Sequence, residues 1–167
     1  MKSIVILRRT SLALAALVIT PTILAATATS NDRTFVAKVS QGGAYEVAAS
    51  KLALERATAW DVRDLAMTEA HDHIGVNLRL KKIADETGVG IAPDLNAEFQ
   101  QRLAKLRAVP TANFDAAYIA DMQQIHDKDE KLFAQEASDG SEPYRLFAHQ
   151  VDLIVKRHIG ALHGLDH

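Results

Sequence analysis

Proline occurs at only three positions after residue 28, and this sparseness strongly limits the folds that the chain can adopt. Pro93, Pro110 and Pro143 lie beside turn-forming residues and separate long segments without proline. Proline inside a helix costs about 3 kcal/mol, so helices are expected between the prolines rather than through them. Apolar residues in these segments recur every three or four positions, which predicts amphipathic helices and excludes strands, whose spacing is two.

Capping and turn signals predict five helices and an all-α fold. The expected ranges are 31–57, 60–87, 96–109, 114–137 and 142–165. Short links join the first helix to the second and the fourth to the fifth, so each pair is predicted to form an antiparallel hairpin. The longer link, with the short helix, must cross the bundle. The prediction is an up-down four-helix bundle with an extra short helix in the crossing connection.

The first 28 residues differ from the remainder and are expected to form a signal peptide. They have a positively charged start, a short apolar core and a small-x-small cleavage pattern, at Lys2 with Arg8-Arg9, residues 11–20 and Ala26-Thr27-Ala28. The apolar stretch is shorter than the roughly 20 residues that span a bilayer. We therefore expect export to the periplasm, with residues 29–167 as a single domain without a transmembrane segment. Arg8-Arg9 leaves the general and twin-arginine export routes open.

Charge and motif content narrow the function classes. The formal net charge is −2, and the first 28 residues contain three of the 19 basic residues and no acidic residue, so the remainder has a net charge of about −5. An acidic domain without a basic block argues against nucleic acid as a partner. The sequence has no nucleophile motif, no phosphate-binding loop and no Glu-x-x-His pair of the kind found in di-iron bundles. Binding is therefore favoured over catalysis.

Every long helix places a ligand-capable side chain on its predicted buried face. At a rise of 1.5 Å per residue, Glu46 and His73 lie level, and His126 and His158 lie within about one turn of each other. We predict a cluster in the middle of the bundle, formed by Glu46, His73, His126 and His158. Its expected neighbours are Glu69, Met122 and Asp129.

Two interpretations of this cluster remain open. The first is a transition-metal site, since bundle cores commonly hold such sites and the chain has no cysteine. Imidazole suits zinc, copper or iron, and a nearby methionine favours copper. The second is a hydrogen-bonded network of histidines and carboxylates that only fixes helix register. The protein would then be a non-catalytic interaction or stress-related bundle whose surface binds a protein partner.

The order and spacing of many residues resemble a bacterial envelope family known as domain of unknown function 4142. The matching residues are Phe35-Val36, Gly43, Glu46-Val47, Leu52-Ala53, Asp72-His73, Asn77, Pro93, Phe114-Asp115, Tyr118, Met122, His126, Phe133 and His158. The resemblance implies a ferritin-like bundle in the periplasm or associated with the outer membrane, and it implies no particular activity. Two residues depart from the family pattern: Glu69 occupies a position where methionine is common, and Leu153 replaces a usual proline.

Overall fold

Five helices make up the computed structural model, which describes residues 27–165 of the chain. They are α1 (Ser30–Arg56), α2 (Trp60–Thr87), α3 (Ala97–Ala108), α4 (Thr111–Asp139) and α5 (Glu142–His163). No strand occurs within the described range, so the all-α prediction is confirmed. Within the same range, no helix combines the length and the apolar character needed to cross a membrane. The predicted signal peptide lies outside this range except for its last two residues.

The helices pack as two antiparallel hairpins, α1 with α2 and α4 with α5, as the short links predicted. The hairpins face each other through α1 against α4 and through α2 against α5. Both of these contacts are also antiparallel. Between α1 and α4, Phe35 meets Phe133 while Ser50 meets Tyr118, and between α2 and α5, Asp72 meets His158 while Arg79 meets Gln150. Helices α2 and α4 therefore run in the same direction, and the connection between them must return along the length of the bundle. Helix α3 lies in that connection and packs on α1 and α4.

Local capping explains where the helices begin and end. The hydroxyl of Thr29 accepts the Asp32 N–H, and the Asp32 carboxylate accepts the Thr29 N–H at 2.6 Å, which completes a capping box. The cap is thus Thr29, and α1 begins at Ser30, one residue before the predicted start. Gly88 ends α2 in the left-handed region at φ 70°, where glycine has no steric penalty.

Polar contacts fix the crossing connection to the bundle. The Gln41 side chain donates to the carbonyl of Asp94 at 3.1 Å and accepts the Asn96 N–H at 2.7 Å. On α3, the Arg102 guanidinium binds the Asp121 carboxylate at 2.7 Å, and its second nitrogen donates to the Asp121 carbonyl at the same distance. Because α3 is only 12 residues long, these contacts with α1 and α4 stabilise it more than helix propensity does.

The core of the bundle has two apolar parts separated by a polar layer. One part lies around the α1–α2 turn and contains Tyr45, Leu52, Leu65, Phe114, Tyr118 and Met122. The other lies around the α4–α5 turn and contains Phe35, Val36, Leu80, Phe133, Tyr144 and Phe147. The buried polar residues between them are Glu46, Glu69, His73, His126, Asp129 and His158. Burying ionisable groups is costly unless they are paired or bind an ion, so this layer needs a specific explanation.

Gly43 allows α1 to approach α2 closely, because a Cβ at this position would overlap the Oδ1 of Asn77. We expect Gly43→Ala to lower the free energy of unfolding by about 1 kcal/mol, because an overpacking cost of about 1–3 kcal/mol exceeds the helix-propensity gain of about 0.5–1 kcal/mol. Gly75 provides the matched control, since a Cβ there would meet nothing within 4 Å. Gly75→Ala should stabilise the protein by about 0.5–1 kcal/mol through helix propensity. Urea denaturation of both variants tests this, and equal effects of the two would contradict the close approach at Gly43.

Candidate metal centre

The polar layer brings together side chains from all four long helices. Glu46 lies on α1, Glu69 and His73 lie on α2, His126 lies on α4, and His158 lies on α5. None of the five is more than 2% exposed, so water contributes little to their solvation. The centroids of the three imidazole rings form a nearly equilateral triangle with sides of 5.2–5.5 Å. The layer is therefore a closed cluster of nitrogen and carboxylate donors.

One carboxylate oxygen of Glu69 lies at the centre of the three imidazoles. Its Oε2 is 3.3 Å from His73 Nε2 and 3.1 Å from His126 Nε2. The third distance, to His158 Nδ1, is 3.0 Å. Glu69 and the three histidines each offer one ligand atom, and these four atoms lie within 4.8 Å of one another. Zinc bonds to histidine and carboxylate are about 2.0–2.2 Å long, so small side-chain movements would bring all four donors onto one ion.

Carboxylate oxygens also lie beside the ring nitrogens on the opposite sides of these histidines. Glu46 Oε2 lies 3.1 Å from His73 Nδ1, and Glu46 Oε1 lies 3.2 Å from His126 Nδ1. Asp72 Oδ2 lies 2.9 Å from His158 Nε2, and the same carboxylate pairs with Arg157. Histidines that bind metals usually have such a partner, which fixes the ring orientation and raises ligand basicity. The arrangement fits imidazoles prepared to bind an ion.

The cluster does not satisfy its own hydrogen-bonding capacity. Four of its buried polar atoms have no hydrogen-bond partner: Glu46 Oε1, His73 Nε2, His126 Nδ1 and His158 Nδ1. These atoms have short contacts at 3.0–3.3 Å, but none of those contacts has the geometry of a hydrogen bond. Each buried group left without a partner costs about 1–3 kcal/mol. A network that served only to fix helix register would be expected to satisfy its members, whereas an ion would satisfy several of them at once.

Burial and close charges shift the pKa values of these groups in opposite directions. Burial alone would raise the pKa of Glu69, but the hydrogen bond with His126 and the close imidazoles of His158 and His73 outweigh it and hold that pKa far below its usual range. Burial lowers the pKa of His73. Burial also opposes protonation of His158, but Glu69 and Asp72 outweigh it and raise the pKa. An ionised Glu69 beside a neutral His73 is the state of the side chains that a cation requires.

On the α1 side of the layer, a second pair of carboxyl groups is held close to the histidines. Burial raises the pKa of Glu46 well above its usual range, and the nearby charges of Asp129 and Glu69 raise it further. Burial likewise raises the pKa of Asp129 to about 6, although the charge of His126 opposes this. Adjacent carboxylates disfavour simultaneous ionisation, so without a cation this pair retains a proton.

The structure brings the four predicted ligand residues into one layer and also shows where each predicted neighbour lies. Glu69 takes the central position among the histidines, whereas Glu46 contacts His73 and His126 through the nitrogens that face away from Glu69. Met122 is fully buried in the apolar part of the core near the α1–α2 turn. Sequence reasoning missed Asp72, which holds His158 across the α2–α5 contact. The signals in the sequence were its position directly before His73 and the match of Asp72-His73 to the family pattern.

The family model described as a domain of unknown function, DUF4142, matches residues 20–165. The chain belongs to the DUF4142 family. The family resemblance inferred from the residues is thereby confirmed, but the family description assigns no activity. No protein with curated annotation matches this DUF4142 sequence.

A solved structure is similar to this DUF4142 protein in fold. It is described as the crystal structure of a DUF305 fragment from Deinococcus radiodurans, and its TM-score is 0.74. The alignment covers 84% of this chain and 97% of the fragment, at 17% sequence identity. At this identity the similarity shows a shared helical fold, and it gives no information about the polar layer.

Proposed function

We propose that this DUF4142 protein binds a first-row transition-metal ion in the core of its bundle and acts in metal binding or handling after export to the periplasm. The observation that supports the metal site best is the group of three imidazole nitrogens around Glu69 Oε2. Two of those nitrogens, on His73 and His158, have no hydrogen-bond partner. Three nitrogens and one carboxylate oxygen suit zinc, copper or iron.

The proposed ligands are Glu69, His73, His126 and His158, with Glu46 orienting the ring of His73 and Asp72 orienting the ring of His158. Glu46 was predicted as a ligand from sequence, but in this arrangement both of its oxygens contact nitrogens that face away from Glu69. The donors come from three helices, so an ion would join α2, α4 and α5 directly. Export is supported by the charged and apolar pattern of residues 1–28.

Elemental analysis of the untagged protein, purified from a periplasmic extract, tests the metal site. The protein would be exposed separately to Cu, Zn, Fe and Mn, and free ions would be removed. We expect a stoichiometric metal in the wild type and its loss in His73→Ala and His126→Ala. His71→Ala is the matched control, because His71 is an exposed histidine on the same helix and should retain the metal.

A wild-type protein without bound metal would contradict the proposed metal site. If the wild type holds no metal while both core variants fold with lower stability, the histidines are structural and the interpretation as a register-fixing interaction bundle is favoured. Intact mass of the protein in separated periplasmic and cytoplasmic fractions tests export, since cleavage after Ala28 leaves Thr29 as the first residue. An uncleaved chain found only in the cytoplasm would contradict the proposed location.

A further inference from the structure

A second group of donors lies on the α1 side of the polar layer. Glu46, His126 and Asp129 each offer a ligand atom, and these three atoms also lie within 4.8 Å of one another. All three side chains are buried, and none is more than 8% exposed. His126 belongs to both groups, because its Nε2 faces Glu69 while its Nδ1 faces Glu46. The two groups are therefore adjacent and joined by one imidazole ring.

Two atoms in this second group are left without hydrogen-bond partners. Glu46 Oε1 and His126 Nδ1 are 3.2 Å apart, fully enclosed, and not hydrogen-bonded to each other or to another described group. Hydrogen bonding within the cluster therefore does not account for the burial of these two atoms, whereas a cation beside them could bind both. From this geometry we propose a second cation position formed by Glu46, Asp129 and Nδ1 of His126, with the His126 ring bridging the two ions. The inference rests on the proposed function, since it requires the first ion.

The charge of the layer agrees with two divalent ions. Three carboxylates are buried there, on Glu46, Glu69 and Asp129. When His126 binds ions through both nitrogens, the ring must lose its remaining proton, which is released to solvent, and become an imidazolate. The four positive charges of two divalent ions then equal the negative charges of three carboxylates and one imidazolate. With a single ion, one carboxylate charge remains, and a proton held between Glu46 and Asp129 would neutralise it.

The stoichiometry of zinc binding tests the second position. The wild-type protein, saturated with Zn²⁺ and freed of unbound ions, should hold two ions per chain. Asp129→Asn removes a donor of the second position only and should hold one ion. Asp127→Asn is the matched control, because Asp127 is exposed on the same helix, and it should retain two ions.

Electron paramagnetic resonance of the Cu²⁺-loaded protein tests the bridge. Two Cu²⁺ ions joined by one imidazolate couple magnetically, so the second equivalent should reduce the signal that the first equivalent produced. Asp129→Asn should keep the full signal of a single copper ion. If Asp129→Asn does not fold, as judged by circular dichroism, the wild-type stoichiometry and spectrum decide the question alone.

The outcomes separate this inference from the proposed function. One ion per chain in both the wild type and Asp129→Asn, without loss of the copper signal, overturns the second position and leaves the first intact. No ion in the wild type overturns both. Two ions in the wild type, one in Asp129→Asn and a coupled copper spectrum support the pair of sites.

Discussion

Replacing Glu69 with glutamine is expected to weaken metal binding at least about 100-fold, the upper end of the effect of losing a partner that only orients a ligand. Glu69 is itself a proposed ligand, so its loss should cost more. Its Oε2 contacts all three imidazoles, and glutamine keeps the shape but removes the negative charge. In a buried layer that charge is screened far less than it would be in water.

Competition with a chromophoric chelator of known affinity measures this effect directly. Thermal unfolding provides a second measurement, because an ion at 100 times its Kd stabilises the wild type by about 2.7 kcal/mol and should stabilise the variant much less. Glu86→Gln is the matched control, since Glu86 is an exposed glutamate on the same helix. Equal affinities of Glu69→Gln and the wild type would show that the ion binds elsewhere.

At pH 5.5 the Asp32→Asn variant is expected to lose about 2 kcal/mol of unfolding free energy. Asp32 is fully buried and accepts the Thr29 N–H at 2.6 Å and the Ser141 N–H at 3.0 Å. It therefore joins the first turn of α1 to the residue that precedes α5. Burial alone would raise its pKa, but these two N–H groups, together with the side chains of Ser141 and Glu136, outweigh burial and lower the pKa to about 2.

The contribution of the Asp32 carboxylate to the free energy of unfolding depends on pH. In the unfolded chain the Asp32 carboxyl binds a proton near pH 3.8, and in the folded protein only near pH 2. Its contribution is therefore fully present above pH 3.8 and is lost as the pH falls through 2. At pH 5.5 the nearby Glu136 is still largely protonated, because burial and Asp32 raise its pKa to about 7.

Urea denaturation at pH 5.5 and pH 3 measures the difference between the wild type and Asp32→Asn. Asp61→Asn is the control, because Asp61 is an exposed acid in the first turn of α2. The difference for Asp32→Asn should shrink at the lower pH. A difference that stays constant with pH would mean that the amide disturbs packing rather than removing a favourable charge.

The helices could be predicted from sequence because their boundaries depend on local chemistry. Helix α2 has the expected range, with Gly88 in the left-handed conformation that ends it. The observed start of α1 lies one residue before the predicted one, because Thr29 and Asp32 cap each other and both side chains fit a capping signal. Helix α4 begins three residues earlier and ends two residues later than predicted, and these five additional residues are exposed.

The inward faces were predictable, but the order of residues within the polar layer was not. The helical period gives the direction of a side chain, yet Glu69 and His73 point the same way from successive turns. The central carboxylate depends on the height of α2 relative to α4 and α5, and side-chain packing across the bundle sets that height. Asp72 was missed for the same reason, since it reaches His158 only because α5 passes beside it.

The division of the proposed ligands between the two hairpins bears on the order in which the protein assembles. Glu69 and His73 come from the first hairpin, and His126 and His158 come from the second. Each hairpin joins neighbouring segments and can form early, whereas the complete set of donors exists only after the hairpins have docked. An ion bound there stabilises contacts that form last, so it should slow the separation of the hairpins and leave their formation nearly unchanged. Bound metal would then lengthen the lifetime of the native protein without making it fold faster.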